Sequence, residues 1–221
     1  MAAERKPLIE VDIDTFTDDV QVYPTGAGDN HMAFAWWCPI EFWESILSRD
    51  STTSETDKNA MLDAITDVSL LAIVQADITH FGAFEFYSKE EIRNTMWVFY
   101  TDASGTKRRL SPMHAISPDL EILLGVFKPI LGAAMGNMGN SMHFYVFNDR
   151  KFSLTDSSRR LIDPYQDGVI NIQLVKRDGN LMYGEIEMPL NSLFIPRKCP
   201  NGKDAHISWK YCPWTGQRLE D

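Results

Sequence analysis

Cysteine is scarce in this sequence, and long apolar runs are absent. Three cysteines among 221 residues are too few for a disulfide-stapled scaffold, and any intramolecular pairing leaves one unpaired. No stretch reaches the roughly 20 apolar residues that a membrane-spanning helix requires, and the N-terminus lacks the apolar core of a signal peptide. We therefore expect no membrane insertion and a cytoplasmic location. If Met1 stands where a leader was removed, Ala2 and Ala3 fit a mature N-terminus, and the expected location becomes periplasmic or secreted.

Positive charge is also in short supply. The chain carries 21 lysines and arginines against 31 acidic residues, for a net charge of −10. The basic clusters at 107–109 and 159–160 are interpreted as a strand end and a loop that face water. Because nucleic-acid binding depends on neutralising phosphates with basic side chains, this balance predicts no nucleic-acid partner.

The sequence lacks the common catalytic motifs. It contains no G-x-S-x-G nucleophile elbow, H-E-x-x-H zinc motif, Walker loop, G-x-G-x-x-G fingerprint or EF-hand loop. The glycine-rich segment 132–140 follows a predicted helix and precedes a predicted strand. That order is the reverse of a phosphate-binding loop, so the segment is interpreted as a helix C-cap.

Periodicity and turn residues predict the fold. With 44% hydrophobic and 24% charged residues, the chain has the composition of a folded domain. We expect two or three helices inserted between strands of a mainly antiparallel sheet, which is an α+β fold. One domain is predicted over 1–196, followed by a small C-terminal clasp over 197–221. The predicted elements are an extended segment 8–22; strands 31–37, 82–88, 95–101, 106–110 and 142–147; helices from Pro39, over 58–76 and from Ser117, the last kinked or divided at Pro129; a polar connection 149–167; and a hairpin of strands 169–175 and 181–187.

The clasp contains two Cys-Pro steps. Residues 212–216, C-P-W-T-G, resemble a zinc-ribbon knuckle of the form C-P-x-C-G in which Thr215 replaces the second cysteine. Residues 199–202, C-P-N-G, resemble the same knuckle with its second cysteine missing and a loop one residue shorter. The resemblance covers only the end of the chain, and it implies half of a four-cysteine zinc site.

Two interpretations of this degenerate knuckle pair stay open. Structural zinc takes four ligands, so Cys199 and Cys212 would need further ligands from His206, Asp204, Cys38 or a second subunit, none at standard ribbon spacing. We therefore favour a relic without metal or cofactor, with free or disulfide-bonded cysteines, over a zinc site. A two-residue hairpin at Asn201-Gly202 would place Cys199 opposite Asp204.

Aromatic residues in the clasp suggest a function. Trp209, Tyr211 and Trp214 supply aromatic surface that either pins the tail onto the domain or contacts a partner. The leading hypothesis is a non-enzymatic interaction or structural protein with a protein partner or self-association. Trp36 and Trp43 are possible contributors to the same surface.

The alternative is a small-ligand binder or an enzyme. Asp77 and His80 have the spacing of one helical face, and with Glu85 and His143 they are candidates for an acid–base or metal site. This hypothesis predicts a cleft that gathers at least two of these four side chains. A purely structural role at a helix end is favoured over catalysis.

Overall fold

The computed structural model describes residues 4–26, 28, 30–150 and 160–219. Within these residues the chain has six α-helices and eleven strands in antiparallel sheets, which confirms the predicted α+β fold. None of the described helices is long and apolar enough to cross a bilayer. The helices are α1 (Ile13–Val20), α2 (Ile40–Leu47), α3 (Glu55–Ile65), α4 (Lys89–Thr95), α5 (Pro118–Met135) and α6 (Asn137–Asn140). The strands are β1 (Gln21–Val22), β2 (His31–Cys38), β3 (Val68–Ile78), β4 (Phe84–Phe86), β5 (Met96–Asp102), β6 (Lys107–Leu110), β7 (His143–Asn148), β8 (Gly168–Val175), β9 (Leu181–Met188), β10 (Arg197–Lys198) and β11 (Asp204–Ala205).

The first sheet is built around β3. One edge of β3 pairs with β2 from Cys38 opposite Leu70 to His31 opposite Asp77, and β1 pairs with the far edge of β2. The other edge of β3 pairs with β7 over its first half and with β4 at its end. Because both edges and both faces of β3 are covered, nearly all of its side chains are buried.

The second sheet has the order β6-β5-β8-β9. Side chains of β8 and β9 alternate between buried and more exposed positions, as expected for a sheet with one covered face. The main core lies between the two sheets, where Ile73 and Tyr145 of the first sheet join Ile172 of the second. The opposite face of the first sheet, at Phe34 and Phe144, is covered by α5 and α6.

Three strand edges are occupied or charged. The outer edge of β9 forms a bridge between Tyr183 and Thr25, and β7 forms one between Phe147 and Pro112. The edge strand β6 instead exposes the basic run 107–109.

Part of the N-terminal prediction is wrong. Residues 8–22 were expected to be extended, but Ile13–Val20 is a helix and only Gln21–Val22 forms a strand. The helix begins at Asp12, whose carboxylate accepts a hydrogen bond from the Thr15 amide at 2.9 Å. This N-cap, together with burial of Phe16 and Val20 on one face, outweighs the loose alternation of apolar residues.

The helix predicted over 58–76 is also wrong. Helix α3 ends at Ile65, and β3 begins at Val68. A continuous apolar run fits a buried helix or a central strand equally well, and here pairing with β2 and β7 selects the strand. The predicted strand 82–88 shrinks to β4, and a capping box between Ser88 and Glu91 begins the unpredicted α4.

Other predictions agree with the structure within a residue or two. These are β2, β5, β6, β7, the β8–β9 hairpin and the start of α5 at the Ser117 cap. Pro129 lies inside α5 without dividing it, and the helix ends before Gly136, whose φ is 58°. Of the predicted polar connection 149–167, residues 151–159 lie outside the described part, as do Ala2 and Ala3.

Candidate functional site

The clasp consists of two similar turns, each beginning at a cysteine. The Cys199 amide donates to the Lys203 carbonyl and the Gly202 amide to the Cys199 carbonyl, both at 2.8 Å. In the second turn the Cys212 amide donates to Gln217 and the Gly216 amide to Cys212, again both at 2.8 Å. Both glycines have positive φ, 82° and 70°, which side-chain-bearing residues rarely adopt. Each C-P motif therefore begins a tight turn that backbone hydrogen bonds close.

The predicted register of the first turn is wrong by one residue. Asp204 lies opposite Lys198, with which it forms an ion pair, and not opposite Cys199. The turn uses Pro200, Asn201 and the positive-φ Gly202 between Cys199 and Lys203. A three-residue loop with glycine in the left-handed position is the next commonest solution after the two-residue hairpin.

Both cysteines of the clasp are buried side by side. Cys199 and Cys212 form a small core with Ala205 and Leu219, against which Trp209 packs. All three cysteines of the chain are free thiols. Burial raises the pKa of Cys199 to about 11. Burial also acts to raise the pKa of Cys212, but hydrogen bonds from Thr215 and from Cys199 lower it to about 7. Thr215, in the place of the missing knuckle cysteine, thus bonds the sulfur.

Up to Leu219, where the described part of the clasp ends, its residues do not gather the ligands of a zinc site. The described residues contain no cluster of three or more His, Cys, Asp and Glu side chains able to hold a metal ion. His206 Nδ1 lies 2.8 Å from the Ser208 hydroxyl within its own turn. Cys38 is buried in the main core and does not belong to the clasp cluster. Two thiols alone are half of the coordination shell that structural zinc takes.

The clasp is fixed to the domain by apolar and polar contacts. Ile207 packs against the main core, and its amide donates to the Asn191 side-chain oxygen at 2.9 Å. The Arg197 guanidinium donates to the carbonyl oxygens of Ile207 and Trp209. Arg197 is itself a clasp residue, so these two bonds stabilise the loop from within by satisfying its carbonyls, and the contacts of Ile207 attach the clasp to the domain.

The clasp exposes aromatic and basic side chains in two pairs, Tyr211 with Arg218 and Trp214 with Lys203. Tyr211 is 60% exposed and Trp214 is 49% exposed. Tyr211 forms a bridge with Arg218, so their side chains leave the same side of the strand pair. The Lys203 ammonium lies 4.7 Å from the centre of the Trp214 ring. We call these four residues the clasp face.

Trp36 and Trp43, which were expected to contribute to the aromatic interaction surface, pack in the core. The Trp43 ring packs against Phe127 with centroids 4.3 Å apart, and Trp36 packs edge-to-face on Phe42 at 5.3 Å. Trp43 is buried and Trp36 is half-buried. Neither lies in the clasp cluster.

Among the four candidate acid–base residues, Asp77 is the centre of a polar network. Its carboxylate lies 2.7 Å from His31 Nδ1, accepts from the Tyr87 hydroxyl at 3.1 Å and pairs with Arg177 at 3.2 Å. Arg177 also pairs with Glu91 at 3.0 Å. Sequence reasoning missed His31, whose side chain is fully buried and lies opposite Asp77 in the β2–β3 register. Burial lowers the pKa of His31, and its bond to Asp77 opposes that shift.

Of the other three candidates, one is a neighbour of this carboxylate, because Glu85 lies opposite Asp77 in the β3–β4 register. His80 and Glu85 are exposed at and after the turn that follows β3. His143 Nε2 lies 3.2 Å from the Tyr87 carbonyl, so it approaches the network only through backbone. The Asp77 network links β3, the segment before α4 and the β8–β9 turn, and its carboxylate oxygens are already bonded. Its geometry is that of a cross-link between the two sheets.

A second polar cluster lies at the end of β7. The buried carboxylates of Glu41 and Asp149 both bond the Arg160 guanidinium, at 2.5 Å and 3.3 Å. Burial raises the pKa of Asp149 to about 6 against the opposing charge of Arg160, and it also raises the pKa of Glu41. Arg160 lines an open depression of about 490 Å³ together with Tyr100, Arg108 and three aspartates. The sequence analysis did not identify this cluster.

Comparison with known proteins adds no identity to this geometry. No protein-family model, no curated protein and no solved structure matches the chain. The function therefore has to be argued from the chain's own surfaces and sites.

Proposed function

We propose that this chain is a non-enzymatic protein-interaction protein, and that its clasp face binds an acidic segment of a partner protein. The observation that carries the proposal is the exposure of Tyr211 and Trp214 on a clasp held rigidly by its own core. Protein interfaces are enriched in such aromatic residues, because a large ring buries much area at little cost in conformational entropy.

The charge of the clasp supports an acidic partner. Residues 197–221 contain five lysines and arginines against three acidic residues, in a chain whose net charge is −10. On the clasp face, Lys203 lies over the Trp214 ring and Arg218 pairs with Tyr211. A partner segment that carries carboxylates beside apolar side chains would satisfy both features, because complementary charge steers the encounter and the rings supply contact area.

The test uses a fluorescein-labelled peptide of alternating glutamate and phenylalanine as the probe, with fluorescence anisotropy as the readout. We expect binding that weakens with salt, and a loss of about tenfold or more in affinity for Y211A and for W214A, as is typical of interface aromatics. W97A is the matched control, since Trp97 is exposed to 39% on β5, outside the clasp. Unchanged affinity in both clasp variants would refute the proposal.

A single-stranded oligonucleotide of equal charge is the second probe. The proposal expects it to bind more weakly than the peptide, because the rest of the chain is strongly acidic and repels phosphates. Tighter binding of the oligonucleotide, lost in W214A, would overturn the assignment in favour of a nucleic-acid partner.

A further inference from the structure

Helix α5 exposes an apolar face along most of its length. Ile122, Val126 and Ile130 are 66%, 55% and 54% exposed, at a spacing of four residues that puts them on one side of the helix. The opposite side, with Leu120, Leu123, Leu124, Phe127 and Leu131, packs against the core and the outer face of the first sheet. A surface helix normally carries polar residues on its solvent side, so this one is unusual.

No charge interrupts this face at its centre. At about 100° per residue, the exposed side is centred on Pro118, Ile122, Gly125, Pro129 and Ala133, which are all exposed and uncharged. Glu121 and Lys128 are two helical turns apart on the same flank of this side. Asp119 lies on the other flank, near the start of the helix. Contiguous exposed apolar surface of this kind marks an interaction site. We call the residues 118–133 on this side the α5 face.

We propose that the α5 face is the interface of a homodimer in which two copies of the helix pack antiparallel about a two-fold axis. The flanking charges select this occupant and this direction. In an antiparallel two-fold pair, each flank meets the same flank of the partner with its direction reversed, so Glu121 of one copy lies beside Lys128 of the other. In a parallel two-fold pair, the flank that carries Glu121 and Lys128 would instead face the partner's flank that carries Asp119, and Glu121 and Lys128 would not meet each other across the interface.

The apolar pair and the charged pair place the two-fold axis at nearly the same point along the helix. The midpoint of Glu121 and Lys128 falls just before Gly125, and the midpoint of Ile122 and Ile130 falls on Val126. At about 1.5 Å per residue these points lie about 2 Å apart, within the reach of a lysine side chain. A Cβ atom built on Gly125 would contact nothing within 4 Å, so this position leaves room for close approach of a second backbone. The like charges of Asp119 on the two copies would be about 20 Å apart and screened.

The size of the face sets the expected strength. Eighteen residues of helix span about 27 Å, and a helix is about 10 Å across. That area is smaller than the roughly 800 Å² per partner of stable complexes, so we expect a dimer of micromolar or weaker affinity. The net charge of −10 on each copy also opposes association at low salt.

Charge exchange gives the decisive experiment, with sedimentation equilibrium of the full chain as the readout. We expect E121K and K128E each to weaken dimerisation about tenfold, because each replaces two attractive contacts with two repulsive ones. The double variant E121K/K128E should restore the affinity, since it exchanges the charges and keeps the pairing. A partner other than a second copy would not show this recovery.

Two further variants complete the test. V126S should weaken dimerisation at the centre of the face, whereas I9S should not, because Ile9 is equally exposed but lies in the N-terminal turn. A chain that stays monomeric to near-millimolar concentration would overturn the proposal. So would a dimer that survives V126S, one that the double charge exchange does not restore, or one abolished by W214A. The last result would assign association to the clasp face, which the present inference does not use.

Discussion

Replacing Asp149 by asparagine should change the pH dependence of stability in a defined direction. Asp149 follows β7 and is only 1% exposed. One carboxylate oxygen accepts from the Ile162 amide at 2.7 Å, and the other lies 3.3 Å from Arg160 Nε. Burial outweighs these favourable contacts and raises the pKa of Asp149 from 3.8 to about 6. Asparagine keeps the shape and the acceptor for Ile162 but does not titrate.

The sign follows from the protons bound in each state. Between about pH 4 and pH 6 the native chain keeps a proton on Asp149 that the unfolded chain has lost, so the free energy of unfolding decreases as the pH rises. The contribution of Asp149 to the free energy of unfolding is complete below its pKa in the unfolded chain. It is lost as the pH rises through its pKa in the folded chain. At about 1.4 kcal/mol per pH unit, a shift of about two units corresponds to about 3 kcal/mol.

The assay is urea unfolding of the wild type and D149N across this pH range. The difference between their free energies of unfolding, wild type minus variant, should fall by about 3 kcal/mol and then level off above the folded pKa. E41Q is a second test, because burial also raises the pKa of Glu41, which shares Arg160, so the difference for this variant should fall with pH in the same direction. A difference that stays flat, or that rises with pH, would mean that Arg160 outweighs burial and would refute the reasoning.

Two more predictions concern the other polar sites. Y87F should lower the free energy of unfolding by about 2 kcal/mol, because the hydroxyl bonds the charged Asp77 and accepts from the Arg177 amide at 2.8 Å. Y145F, which removes one neutral bond to the Lys89 carbonyl, should cost about 1 kcal/mol in the same urea assay, and equal costs would contradict the charged network. In the clasp, a chelator should leave the thermal midpoint unchanged, and thiol titration of the unfolded, non-reduced chain should find all three cysteines. A lower midpoint would indicate a metal site, and a single thiol would indicate a disulfide.

Local signals predicted much of the second sheet. Alternating residues on β8 and β9 around the 176–180 turn, and the short turn between β5 and β6, gave elements within a residue or two of those observed. In these hairpins the partners are neighbours in sequence, so the pattern that selects the strand also selects its pairing. Ser117 and Pro118 predicted the start of α5 for the same reason, since capping is local.

The first sheet was harder because its determinants are distant. The run from Val68 to Ile78 is a strand only because β2 and β7 cover its edges, and neither strand adjoins it in the chain. The Asp77 network was missed for that reason, since His31 comes opposite Asp77 only when β2 and β3 pair in this register. The signal in the sequence was that His31 lies at one end of β2 and Asp77 near the end of β3. It indicates a contact between them only if 68–78 is assigned as a strand that pairs with β2.

The clasp shows a smaller version of the same limit. Its two C-P motifs predicted turns, and both are present. The partner of Asp204 depends on whether the first loop has two or three residues. The C-P motif alone does not distinguish these two loop lengths. Exposure of Tyr211 and Trp214, and partial burial of Trp209 against the clasp core, follow from the tertiary placement of the loop on Ile207 and Asn191.

The arrangement of strand edges described above bears on aggregation. Open edges offer unpaired amides and carbonyls to other chains, and such growth by strand addition is a common route to insoluble protein. In this chain the bridges at Tyr183 and Phe147 engage the edges of β9 and β7, and three consecutive basic side chains repel a second copy from the edge of β6. Edge-to-edge contact between copies is therefore disfavoured at these three edges, so strand addition there should contribute little to aggregation of this protein.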